Sequence, residues 1–146
     1  MSDSKKLKIL HLVRWYPNKF DPMPGLFIQR HIEAANIYSE CGVVYTHLVS
    51  KDWDSVSSFV TEISMINGVP TAKVYYKGAN RYLGPLGKII NIYRFYKANR
   101  IGIGVIKSEL EGIDLLHIHI LTRLGLIGLY YKLTKGIPYI LTEHWS

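Results

Sequence analysis

Short apolar runs, each only six to eight residues long, constrain this chain more than any other feature. They lie at residues 8–15, 43–49, 115–120 and 137–142. Runs of that length are too short for buried helices and suit parallel strands covered on both faces. Helical spacing appears between them. In residues 26–40, Phe27, Ile28, His31, Ile32, Ala35 and Tyr38 fall on one face, with Gly42 as the expected stop. Residues 88–110 form a long helix candidate weakened at its middle by Gly102 and Gly104. Residues 125–135 form another, with Gly136 as its stop.

Asn67-Gly68 sits between two β-rich runs, 59–66 and 71–77, which is a hairpin signal. Residues 16–25, 51–58 and 78–87 read as loops. Strands alternating with helices imply right-handed βαβ units. The expected fold is α/β: a Rossmann-like, mainly parallel sheet with a local β-hairpin, in one domain over residues 1–146. No Gly-x-Gly-x-x-Gly follows the first strand, so a dinucleotide fingerprint is absent. Disorder is not expected outside residues 1–6.

The last apolar run leads into Thr142-Glu143-His144-Trp145-Ser146. Ligands of parallel α/β sheets bind beyond the carboxyl ends of the strands. The chain thus ends at its own candidate site and reads as the front piece of a longer protein. Cys41 is the single cysteine, so no internal disulfide can form. The N-terminal lysines precede a poor signal sequence, and no apolar run approaches the ~18 residues that span a bilayer. A cytoplasmic protein is expected, at most peripheral to the inner face of a membrane.

The net charge is +7, and no acidic residue occurs between Glu62 and Glu109. Such a block points to an anionic partner or to a solvated basic face. Within it, Ile89, Ile92, Tyr93 and Tyr96 alternate at helical spacing with Arg94, Lys97 and Arg100. Packing on the sheet and docking on an anionic membrane surface both fit this pattern. No nucleic-acid motif accompanies the charge, and nucleic acid is not expected as a partner.

Three segments carry candidate chemistry. In the first loop, Arg14, Trp15, Tyr16 and Asn18 lead to Gly25 at the start of a helix. A helix N-terminus presents free N–H groups and a positive dipole end, and a glycine lets an anion approach closely. In Asp114–His119, His117 and His119 are two apart on a strand and share a face. Metal is not expected there, since Glu143 would have to come from a neighbouring strand to complete a site. His117, deeper in the strand, suits a satisfied core role. In the last segment, Glu143 and His144 face opposite sides of the strand, so one can reach a cleft while the other ties down a loop. His144 can donate to a sugar hydroxyl or act as acid or base near neutral pH. Trp145 can stack on a sugar or pack.

Taken together, Trp15-Tyr16-Pro17 with Gly25 through His31, residues 114–119, and residues 136–145 resemble in order and spacing the N-terminal domain of family-four retaining glycosyltransferases of the GT-B fold. The resemblance covers nearly the whole chain. It implies a two-domain enzyme whose N-terminal domain binds the acceptor and whose C-terminal domain, missing here, binds a nucleotide-sugar donor. It implies that Gly25 offers backbone N–H groups to the donor diphosphate and that His144 touches the transferred sugar. Arg14, Tyr16, Asn18 and His119 would line the acceptor, a glycan or a lipid-linked molecule. No cofactor or metal is implied. One departure is that Gly25 is followed by Leu26 and Phe27, where many members carry two adjacent glycines. The alternative class is a non-catalytic binding or membrane-docking subunit of a two-component enzyme.

Overall fold

A computed structural model describes residues 4–50 and 58–144. Strand β1 (Lys8–Val13) leads to helix α1 (Leu26–Ala35), then β2 (Glu40–Val49), β3 (Phe59–Ile66) and β4 (Val69–Lys77). A short 3-10 turn (Arg81–Leu83) precedes α2 (Pro85–Leu110), and β5 (Leu115–His119), α3 (Leu124–Lys135) and β6 (Tyr139–Thr142) follow. The strands form one sheet in the order β3-β4-β2-β1-β5-β6. Only β3 is antiparallel, paired with β4 through the hairpin. Asn67 and Gly68 both have positive φ, 48° and 81°, as a type I′ turn requires.

β1 lies between β2 on one side and β5 on the other, in parallel register with both. The chain therefore reverses its winding direction at β1. The gap beyond the carboxyl ends of β1 and β5 is the topological switch point, where ligands of open α/β sheets bind.

The two faces of the sheet bury different cores. Leu10, Leu12, Val44, Val74, Leu116 and Ile118 pack against α2 and α3. Gly102 is what brings α2 down onto the sheet: a Cβ there would lie 2.6 Å from Cγ1 of Val44. The glycine expected to weaken this helix is a contact point, and α2 runs unbroken for 26 residues. On the opposite face, Val13, Tyr16, Cys41, Val43 and Tyr45 pack under Ile28 and Ile32 of α1.

α1 is shorter than its apolar spacing suggests. It ends at Ala35, and Tyr38, expected on its buried face, is 85% exposed. The stop is made by side chains rather than by Gly42. Ser39 Oγ donates to Ala35 O at 2.6 Å, and Asn36 Oδ1 accepts from Cys41 N at 2.9 Å. Gly42 instead lies inside β2, where a Cβ would collide with Ile106 Cγ2 at 2.4 Å. β1 likewise stops at Val13, two residues before the expected end, as the chain turns into the loop that returns to Gly25. The loop expected at 51–58 and the side chain of Trp145 fall outside the described residues, except for Ser58. Among the described residues, no helix is long and apolar enough to cross a membrane.

Candidate functional site

Gly25 anchors the first loop. Its φ is +73°, and a Cβ would stand 2.2 Å from the carbonyl oxygen of Trp15. Only glycine satisfies both the left-handed backbone and that approach. Gly25 is also the residue before α1, whose first turn carries neither a side-chain cap nor an acidic residue. The leading N–H groups of α1 thus face outward with the positive end of the helix dipole. They open on a cavity of about 610 Å³ lined by Trp15, Met23, Pro24, Gly25, Leu26, Phe27 and Arg30. Arg30 adds a full positive charge to this wall.

His144 closes on the same place from the far side of the switch point. Its ring meets Phe27, in the first turn of α1, edge to face with centroids 4.9 Å apart. The His31 ring, one turn further along α1, lies 6.3 Å away. Phe27 thus brings the start of α1 against the end of β6.

Glu143 faces away and ties down the turn after β5. Its Oε1 accepts from Leu121 N at 2.7 Å, while Thr142 O accepts from Ile120 N at 2.9 Å. Ile120 needs that hold, because its φ of +75° is an outlier for a β-branched residue. Of the adjacent pair, His144 is the one beside α1 and Glu143 is the tether.

Three residues expected to line the acceptor are buried and engaged internally. Tyr16 is 1% exposed within the α1-side core. Asn18 organises the loop: its Nδ2 donates to Tyr16 O and Tyr45 Oη, and its Oδ1 accepts from the N–H groups of Phe20 and Asp21. His119 is 2% exposed, with both ring nitrogens bonded to other histidines. Arg14 is the exposed member of the set. Tyr16, Asn18 and His119 thus shape the site from beneath, and only Arg14 presents its side chain to solvent.

Beneath His144, His11 joins His117 and His119 in a cluster whose β1 member no local spacing reveals. The register sets His11 opposite His117 and Val13 opposite His119, all pointing to the α1 side. His11 Nδ1 lies 3.0 Å from His119 Nε2, and His119 Nδ1 lies 3.0 Å from His144 Nε2. His11 Nε2 lies 3.3 Å from Cys41 Sγ. His117 stands beside this line, its Nε2 bonded to Thr142 Oγ1 at 2.7 Å. Burial holds His119 down to about 2 and His11 to about 3, reinforced in each case by His117. His117 and His144 are also lowered, first by burial and then by neighbouring histidines. The rings are therefore neutral imidazoles at neutral pH.

Nitrogens of His11, His117 and His119 lie within 4.8 Å of one another, a spacing compatible with a metal ion. The ring planes argue otherwise. His117 stacks on His119 with centroids 4.1 Å apart and planes 22° from parallel. A metal lies near the plane of each imidazole that binds it, and two stacked rings offer no common point.

No family model matches the chain, and no curated protein is significantly similar to it.

Proposed function

We propose that this chain is the acceptor-side domain of a retaining glycosyltransferase of the GT-B type, which moves a sugar from a nucleotide donor to a glycan or lipid-linked acceptor. The observation that carries the reading is that the ring of Phe27, which lines the same cavity as Gly25, meets the ring of His144. The uncapped start of α1, with Arg30 in the same cavity wall, suits a diphosphate. His144, one ring contact away through Phe27, suits a hydroxyl of the attached sugar. Preorganised N–H groups and positive charge at a leaving diphosphate stabilise the charge that develops there. The donor's nucleotide would be held by a second domain or subunit.

Titration of the ¹⁵N-labelled protein with a panel of nucleotide sugars tests this reading. The expected result is amide shifts confined to residues 25–28 and to His144. Shifts elsewhere, or none at millimolar ligand, would contradict it.

A second reading, docking on an anionic membrane, is favoured by a separate observation. Leu86, Ile89 and Tyr93 recur at helical spacing on α2 and are 54%, 62% and 63% exposed, and Tyr82 in the 3-10 turn before it is 80% exposed. Arg81 and Lys88 flank this apolar stripe, and both are exposed. The stripe stands at the carboxyl rim of the sheet, since Asn91 accepts from Ala79 N and Arg94 donates to Lys77 O. The rest of α2 packs on the sheet through Phe95, Ala98, Ile103 and Ile106. The two readings are compatible, because a lipid-linked acceptor would reach the site from a membrane at that rim.

A further inference from the structure

We infer that Ser39, Cys41, His11 and His119 fix the tautomer of His144, so that its Nδ1 carries a lone pair and accepts a hydrogen bond from a ligand hydroxyl. The inference rests on the reading of His144 as a ligand-facing residue and specifies what it offers.

The polarity follows from counting protons. Ser39 Oγ lies 2.6 Å from Ala35 O, and a carbonyl can only accept, so the hydroxyl proton is committed there. Ser39 Oγ also lies 3.3 Å from Cys41 Sγ, and with its proton committed it must accept from the thiol. Cys41 then has no proton left for His11, so His11 Nε2–H donates to Sγ at 3.3 Å. A neutral imidazole holds one proton, which leaves His11 Nδ1 as an acceptor. His119 Nε2–H donates to it at 3.0 Å, leaving His119 Nδ1 as an acceptor in turn. His144 Nε2–H donates to that atom at 3.0 Å. All three rings are thereby Nε2–H tautomers, and the lone pair emerges on His144 Nδ1. No hydrogen bond to that atom occurs among the described residues.

Ring geometry supports the last two bonds. His119 and His144 are parallel to within 4° with centroids 5.3 Å apart, as a linear in-plane N–H···N bond requires. His11 and His119 have the same centroid separation at a 31° tilt. The chain orients a proton but does not conduct one. Its buried end is a thiol that burial pushes up, followed by a serine and a main-chain carbonyl, and none of these takes up a proton at neutral pH. His11 and His119 are thus positioning residues. The titratable groups around His144 are His31 on α1, His117 and His119 on β5, and its neighbour Glu143.

Two-bond ¹H–¹⁵N correlation spectra of the histidine rings test the inference on the unliganded protein. At neutral pH, His11, His119 and His144 should all show the Nε2–H form. An Nδ1–H form at any of the three overturns the assignment. Ser39→Ala removes the acceptor that directs the Cys41 proton and should convert the single tautomer at the three rings into a mixture. Cys41→Ala removes the same constraint from the other side and should do likewise if Ser39→Ala fails to fold. Unaltered tautomers in every folded variant also overturn it. The experiment needs no substrate, so failure to find sugar transfer leaves its outcome unchanged.

Discussion

His144 Nε2 stands 3.0 Å from His119 Nδ1, so the end of β6 is bonded to the buried end of β5 at the switch point. The histidine nearest the cavity is therefore not a loose side chain. It is the outer member of a line of neutral imidazoles that begins at Cys41 in the core.

That line should make the protein acid-sensitive. In the unfolded chain His11 and His119 titrate near 6.5, whereas burial holds them near 3 and 2 in the fold. Below pH 6.5 the unfolded state binds more protons, so stability falls as pH falls. It is fully present above that value. Each group contributes a slope of up to about 1.4 kcal/mol per pH unit between its two values. Urea melts at pH 8 and pH 5 should differ by about 2–4 kcal/mol on that slope, and His119→Asn should remove about one proton from the linkage. Equal stability at the two pH values would contradict the buried neutral pair.

Gly25→Ala should destabilise the fold by about 1–3 kcal/mol or more, since it strains the backbone and drives a Cβ into Trp15 O. Thermal melts measure this. An unchanged melting temperature would mean that the loop does not close on Trp15.

Glu143→Ala should free the turn after β5. Leu121 N loses a charge-assisted partner, and the strained φ of Ile120 loses one of its two restraints. The side chain is exposed, so the expected loss is about 1 kcal/mol. Glu143→Gln keeps the accepting oxygen and should recover most of it. Equal losses in the two variants would show that the bond to Leu121 is not the cause.

The apolar stripe on the start of α2 predicts salt-sensitive sedimentation with anionic vesicles and none with neutral ones. Replacing Ile89 and Tyr93 with serine should weaken that binding several-fold and leave the melting temperature within a degree or two, as both side chains are exposed. Binding unaffected by these changes would remove the stripe from the docking surface.

Much of the fold was legible because it is written in local patterns. The β5 and hairpin runs, the α3 spacing and the Asn67-Gly68 turn all appear close to where periodicity puts them. The errors came where side-chain bonds outrank periodicity. Asn36 and Ser39 stop α1 before its apolar spacing ends, which leaves Gly42 free to let Ile106 reach β2. The contact of Phe27 with His144 is a tertiary fact that no local pattern announces. The role of His11 could not be anticipated, because nothing local says that β1 neighbours β5. Once that order is known, the odd numbering of His11, Cys41, His117 and His119 puts all four side chains on one face. The burial of Tyr16, Asn18 and His119 is likewise a tertiary fact, set by Tyr45 on β2 and His11 on β1.

The proposed sugar transfer is tested by an assay on the native gene product, with labelled nucleotide sugars and an extract of glycans and lipid-linked acceptors. Transfer with the anomeric configuration retained is expected, with a loss of about 10²-fold in kcat/KM for His144→Ala. No transfer from any donor, or full-rate transfer by the His144 variant, would contradict it.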